Sequence, residues 1–218
     1  MMKISPSLLR RTAKLLREVN TKRNRNYIEH AILLIAEKVG GEFHCGASRW
    51  CITFPDEPTV IKIPDIWENQ LNYCDIEVRN YQAAKDYGIA KVLLPCEFYC
   101  RLPNRLELYL QPKYDCSMYD ARKSEKYCDY LVKAQKRGKE FDKLYDDIEA
   151  KVSAYDWFTY LFVRYGKRFC QNFAEWLQDY HVNDLHASNV DFLHNKPIIL
   201  DYAGYFCSGT YVTSSSTW

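Results

Sequence analysis

The chain has 218 residues, of which 47% are hydrophobic and 27% charged, an ordinary globular balance that excludes global disorder. Its formal net charge of +2 is too small to make the chain as a whole a nucleic-acid-binding protein. Nine scattered cysteines, with no CxxC pair and no zinc-finger spacing, exclude a disulfide scaffold and a zinc ribbon and read as free thiols in a reducing cytosol.

The first 25 residues hold Lys3, Arg10, Arg11, Lys14, Arg17, Lys22, Arg23 and Arg25 against a single acid, Glu18. A segment this basic suits contact with RNA, DNA or an acidic protein, and the plainer reading is a solvated helix face. Leu8, Leu9, Leu15, Leu16 and Val19 take one side of a helix over 7–19. A second helix is predicted to start near Asn26, with Glu29 completing a capping box, and to stop at Gly40-Gly41. No apolar core of a signal peptide is seen. The longest apolar run, Ala31 to Ala36, is too short to cross a bilayer, so a soluble, cytoplasmic chain without membrane contact is expected.

The texture then changes. Segments 48–54 and 59–63 are short, apolar and β-branched, and the Pro-Asp-Glu-Pro between them predicts a hairpin. Residues 75–87 return to helical spacing, and 90–100 and 105–111 read as strands. Beyond Tyr119 the pattern is helical, highly charged over 119–151 and crowded with aromatic side chains over 155–180, with a short buried strand at 197–200. The tail from Ser208 is rich in Ser and Thr. The expectation is an α+β protein of two lobes, with a helical extension over 1–38, a small β-rich lobe over 39–111 and a helical lobe over 112–218.

The most specific stretch is His181-Val-Asn-Asp184-Leu-His186-Ala-Ser-Asn189-Val, followed by Ile198-Ile-Leu-Asp201. Phosphoryl transfer needs a carboxylate to orient an attacking hydroxyl and take its proton, and hard oxygen donors for the Mg²⁺ that bridges the phosphates. Upstream, Val60-Ile-Lys62-Ile puts a cation in the centre of an apolar strand, where it needs an anionic partner. Glu77, fifteen residues on (77 − 62), shares a helical face with Tyr81 and Ala84 and is the best candidate, with Glu68 the alternative. Gly41 and Gly46 precede the lysine, though a glycine pair at 40–41 also reads as an ordinary helix C-cap. The segment Leu108-Tyr-Leu-Gln111-Pro-Lys113 is a strand running into a linker.

Taken in order over roughly residues 38–206, these motifs resemble the protein kinase and aminoglycoside/choline kinase superfamily. In texture they are most similar to the compact serine/threonine protein kinases encoded by some podophages and to kinase-like proteins of mobile elements. The resemblance implies a bilobal protein-kinase-like fold with a reduced helical C-lobe, and ATP with Mg²⁺ or Mn²⁺ as cofactors. It implies Asp184 as catalytic base, Asn189 and Asp201 as metal ligands, and Lys62 on the α- and β-phosphates with Glu77 as its partner. His186, where small-molecule kinases carry His, would meet the γ-phosphate. Gly41 and Gly46 would line the phosphate loop, and Gln111 to Lys113 would meet the adenine edge. The implied partners are protein substrates, host proteins among them, in the host cytoplasm, and the Ser/Thr-rich tail is a candidate site of self-modification. The departures are plain. No Arg precedes Asp184, DFG is replaced by Asp201-Tyr-Ala-Gly204, and seventeen residues (218 − 201) follow Asp201. A small-molecule kinase and a pseudokinase that binds a partner protein are the competing expectations.

Overall fold

Residues 3–46, 48–65, 71–114, 138–193 and 196–203 are described in a computed structural model of the chain. The fold is α+β, with five α-helices and seven antiparallel strands among these residues. It divides into two compact units, Met1–Ser117 and Met118–Trp218.

In the first unit, α1 (Pro6–Leu16) opens on proline, whose missing N–H and fixed φ suit a first helical turn. It buries Leu9, Thr12 and Leu16, and the Thr12 hydroxyl donates back to the Leu8 carbonyl at 2.9 Å. Helix α2 (Arg25–Val39) is capped by Asn24, whose side chain accepts the Tyr27 N–H at 2.9 Å, and it stops at Gly40 in the left-handed conformation with φ of 79°. The cap expected at Asn26 is therefore two residues early in the structure. Glu29, freed from a capping box, lies 3.3 Å from Arg25 and accepts the Trp50 indole N–H at 3.4 Å.

A five-stranded antiparallel sheet follows, made of β1 (Glu42–Cys45), β2 (Arg49–Thr53), β3 (Thr59–Pro64), β4 (Glu97–Arg101) and β5 (Glu107–Pro112), in the spatial order β1-β2-β3-β5-β4. Helix α3 (Tyr73–Asp86) joins β3 to β4. Strand β1 escaped the sequence reading because three of its four residues are exposed, so no apolar alternation marks it. The expected strand over 90–100 splits into a short 3-10 turn at Ala90–Val92 and β4.

Alternation along the strands sorts side chains to the two faces. Trp50 and Ile52 of β2, Ile61 and Ile63 of β3, and Leu108 of β5 join Leu9, Leu16, Ile28 and Ile32 of the first two helices in one core. The helices of the first 38 residues thus cover one face of the sheet and belong to its core. The opposite face carries Lys62, Cys51 and Tyr109, with Tyr109 packed on Cys74 of α3 and on Cys96. Covering both faces is what buries all six residues of β3.

In the second unit, α4 (Lys139–Asp146) packs Phe141 against Tyr155, Phe158 and Phe162 of α5 (Tyr155–Asp179), with ring centroids 5.3–5.7 Å apart. Helix α5 is broken at Gly166 (φ 81°, ψ 175°), a conformation that glycine adopts at low cost. Strands β6 (Val190–Leu193) and β7 (Lys196–Ile199) form an antiparallel hairpin; β7 matches the strand expected at 197–200, while β6 is too short to stand out in the sequence. The expectations for 119–137, for Glu68, for Gly204 and for the Ser/Thr-rich tail lie outside the described residues. Among those described, no helix is long and apolar enough to cross a membrane.

Gly41 is fixed by contact rather than by dihedral strain. A Cβ there would meet the Thr53 carbonyl oxygen at 2.7 Å and the Phe54 ring at 2.9 Å. Gly41→Ala is expected to destabilise the first unit by about 1–3 kcal/mol, since backbone must yield to the new methyl group; urea unfolding checks the shift in midpoint.

Candidate functional site

The register of β2 and β3 pairs Cys51 with Lys62, so Lys62 points to the α3 face, and Arg49, two residues before Cys51, points the same way. On α3, Glu77 lies one turn after Tyr73, and its side chain is fully buried. The Lys62 ammonium donates to Glu77 Oε2 at 2.8 Å, and Arg49 Nη1 donates to Glu77 Oε1 at 2.6 Å. Side-chain exposure is 6% for Lys62 and 10% for Arg49. One buried carboxylate is therefore shared by two cations, each on its own oxygen. Burial lowers the Lys62 pKa and Arg49 lowers it further, yet attraction to Glu77 prevails and holds it above the ordinary lysine value. Burial raises the neighbouring Cys74 and Cys96 thiols strongly, so both stay protonated and apolar beside the pair.

The pairing of Lys62 with Glu77 is the one anticipated from the sequence. Arg49 was not anticipated. Its signal was a cation at the start of the apolar alternation Arg-Trp-Cys-Ile, in phase with Lys62 once the strand register is known. The network also extends backwards: Arg49 Nε donates to Ser48 Oγ at 3.4 Å, and the Ser48 carbonyl accepts the Asp65 N–H at 3.0 Å. The buried Asp65 carboxylate is in turn paired with Arg25 of α2.

The loop residues expected to hold phosphates separate in the structure. Gly46 stands in the β1–β2 turn, where its N–H meets the Arg49 carbonyl at 2.9 Å. Gly41 stands at the other end of β1, and its N–H donates to the Ala36 carbonyl at 2.8 Å as part of the α2 terminus. The N–H of Gly41 and the space beside its Cα are thus taken up by the α2 terminus, Thr53 and Phe54. The linker residues are similarly engaged. The Gln111 side chain is buried and donates to the Leu94 carbonyl at 3.4 Å. The Lys113 N–H goes to the Pro58 carbonyl at 2.7 Å, and its ammonium goes to the Phe54 carbonyl at 3.1 Å. An adenine edge meeting this segment would have to displace the Pro58 contact or use carbonyls alone.

In the second unit the loop 180–189 is pinned at both ends. Leu185 donates its N–H to the Lys151 carbonyl at 3.0 Å and bridges Val152, while Val182 and Leu185 are buried. At the far end the Asn189 carbonyl accepts the Leu200 N–H at 2.8 Å, which continues the β6–β7 ladder by one step. That step carries Asn189 and Asp201 to the same end of the hairpin. The Asn189 amide nitrogen donates to the Asp184 carbonyl at 2.6 Å and lies 3.2 Å from His186 Nε2. With its nitrogen turned into the loop, Asn189 Oδ1 makes no hydrogen bond among the described residues. The side chain of Asp184 is 43% exposed. The Ser188 N–H donates to His186 Nδ1 at 3.1 Å, and His186 Nε2 lies 3.6 Å from Asp184 Oδ1. Tyr202, which follows Asp201, is buried against Trp176 with ring centroids 6.3 Å apart, and this packing anchors the segment after β7.

Among the described residues no three His, Cys, Asp or Glu side chains gather into a protein-only metal cage. A set made of the Asn189 amide oxygen and the Asp201 carboxylate fits a different use: hard oxygen donors, few in number, as Mg²⁺ takes when substrate phosphates and water complete its octahedron. No family model, curated protein or solved structure matches the chain.

Glu77→Ala strips the shared anion from two buried cations. It is expected to cost about 3–5 kcal/mol, and Lys62→Met distinctly less, because Arg49 then keeps its partner. Denaturant titration of both variants checks the order.

Proposed function

We propose that the chain is an ATP- and Mg²⁺-dependent phosphotransferase of the protein-kinase-like type, acting on the hydroxyl groups of protein serine and threonine residues. The observation that carries the reading is the buried Lys62–Glu77 ion pair, formed by the third strand of the sheet and the helix that follows it. A strand lysine held by a helix glutamate is the part of a kinase site that sets the α- and β-phosphates. The second unit adds support of its own: a half-exposed Asp184, an Asn189 anchored to the Asp184 carbonyl, and an Asp201 at the adjoining end of the hairpin.

The roles follow from the chemistry of each group. Lys62 offers a cation whose protonation Glu77 secures at any physiological pH, so it interacts with phosphate oxygens without titrating. Asp184 orients the attacking hydroxyl and accepts its proton, as a half-exposed carboxylate on a doubly pinned loop is suited to do. The Asn189 Nδ2 bond to Asp184 fixes the direction of Oδ1, and Asn189 with Asp201 would hold the metal ion. When bound, Mg²⁺ neutralises charge that builds on the transferring phosphoryl group. The protein's contribution is then mostly positioning and electrostatics.

His186 favours a second reading in one respect, a small-molecule alcohol as acceptor. Its ring faces Asp184 from a hydrogen-bonded position, and the DLH wording is that of small-molecule kinases.

The test is transfer of label from γ-labelled ATP with Mg²⁺, using the purified protein alone, with a cell lysate and with a metabolite extract. Transfer to protein that falls roughly 10²–10⁴-fold in Asp184→Ala, with a comparable loss in Lys62→Ala, is the expected outcome. Label appearing only in metabolites would favour the small-molecule acceptor. Neither transfer, in protein whose circular dichroism shows it folded, rejects the phosphotransferase reading and leaves a partner-binding role.

A further inference from the structure

Two cations on one buried carboxylate is more than a lysine–glutamate pair requires. Glu77 Oε1 is held by Arg49 at 2.6 Å and Oε2 by Lys62 at 2.8 Å. The two donors come from neighbouring strands of a rigid antiparallel pair, and the acceptor comes from a separate helix. A glutamate has three rotatable bonds, and a single contact to a flexible lysine ammonium fixes neither its rotamer nor the rotation of its carboxylate. A guanidinium is planar and its donors have fixed directions, so binding one oxygen orients the whole carboxylate.

We propose that Arg49 is a positioning residue: by holding Glu77 Oε1 it turns Oε2 toward Lys62 and clamps α3 to β2, so that the lysine is set for a phosphate-bearing ligand before any ligand binds. The functional half of this statement rests on the phosphotransferase reading; the clamp on Glu77 does not. No group added to the chain is needed to bring α3 in, because the clamp is built from two side chains already in van der Waals reach. The clamp also joins the front of the sheet to the helices behind it. Ser48, next to Arg49, accepts from the Asp65 backbone, Asp65 is paired with Arg25, and Trp50 donates to Glu29. Helix α2 therefore braces the same strand end that presents Arg49.

The alternative is that Arg49 is simply a second cation competing for Glu77. The two roles differ in sign at Lys62. The Arg49 charge depresses the Lys62 pKa in the intact cluster, so if competition were its whole role its removal would raise that pKa and protect the amine. A positioning cation keeps Glu77 in place, so its removal would loosen the pair, lower the pKa and expose free amine. The experiment is the rate of Lys62 acetylation by acetic anhydride at fixed pH, read by peptide mass spectrometry in the wild-type chain, Arg49→Ala and Arg49→Lys, with thermal unfolding to confirm folding. Titration with Mg·ATP and γ-phosphoryl transfer are measured on the same proteins. The expected result is labelling about tenfold faster in Arg49→Ala, the equivalent of one pKa unit, with Arg49→Lys in between, because an ammonium can hold Glu77 Oε1 without fixing the plane of the carboxylate. Phosphoryl transfer is expected to fall on the order of 10²-fold in kcat in Arg49→Ala, with a smaller change in KM and partial rescue in Arg49→Lys. Slower or unchanged labelling of Lys62 in a folded Arg49→Ala overturns the proposal. Should Arg49→Ala fail to fold, Arg49→Met, which keeps much of the buried stem but neither the charge nor a donor, is read in its place with the same two signs. Absence of Mg·ATP binding by the wild-type chain would reject the phosphotransferase reading, while the labelling rates still decide the role of Arg49.

Discussion

The first unit is arranged around a carboxylate that has no access to water. Glu77 lies under α3 with its whole side chain buried, and a buried charge persists only if it is paired and hydrogen-bonded. Lys62 and Arg49 meet that demand from two strands, which ties the position of α3 to the register of β2 against β3. A slip of one residue in that register would turn Lys62 to the apolar face occupied by Ile61 and Ile63, burying an unpaired cation there and leaving Glu77 to Arg49 alone. The ion cluster thus adds specificity to a sheet whose burial on both faces would otherwise rest on apolar contacts alone. The N-terminal helices matter here because they supply the second cover of the sheet, and their Arg25 and Glu29 reach the end of β2 and β3 through Asp65 and Trp50.

The second unit solves a different problem, that of holding a short polar loop still without burying its side chains. Backbone bonds do it. Leu185 is tied to Lys151, Val182 to Leu177 and Asn189 to Leu200, while the apolar Val182 and Leu185 face inward. The Trp157 indole donates to the Asp191 carbonyl at 3.1 Å, and Tyr160 meets Phe192 with ring centroids 4.7 Å apart, so the aromatic face of α5 is the floor on which the hairpin sits. Asp184 and His186 are then left half-exposed on a fixed backbone.

Much of this was legible in the chain. The period-2 run Val60-Ile-Lys62-Ile marked a cation inside a strand, and helical spacing placed Glu77 on the inner face of the next helix, because both signals are local and periodic. The Asp184, Asn189 and Asp201 spacing was legible for the same reason. Arg49 was not, since its phase relative to Lys62 depends on the pairing of β2 with β3, a contact between strands. Gly41 and Gly46 looked alike in the sequence and proved different, because one lies at a helix end against Thr53 and the other in a turn. Strand β1 carried no apolar pattern, and the true cap Asn24 stood two residues ahead of an equally plausible Asn26.

The sequence by itself determined most of the elements, the buried lysine and its glutamate, and the ordered spacing of Asp184, Asn189 and Asp201, because periodicity and side-chain chemistry are properties of neighbours along the chain. Only the tertiary structure decided that Glu77 answers to two cations, that the first two helices are part of the sheet's core, and that the Asn189 amide is turned back on Asp184. Each of these depends on which segments meet in space. Burial makes such meetings matter, since a charge or an amide removed from water must find its partner wherever the fold has placed one.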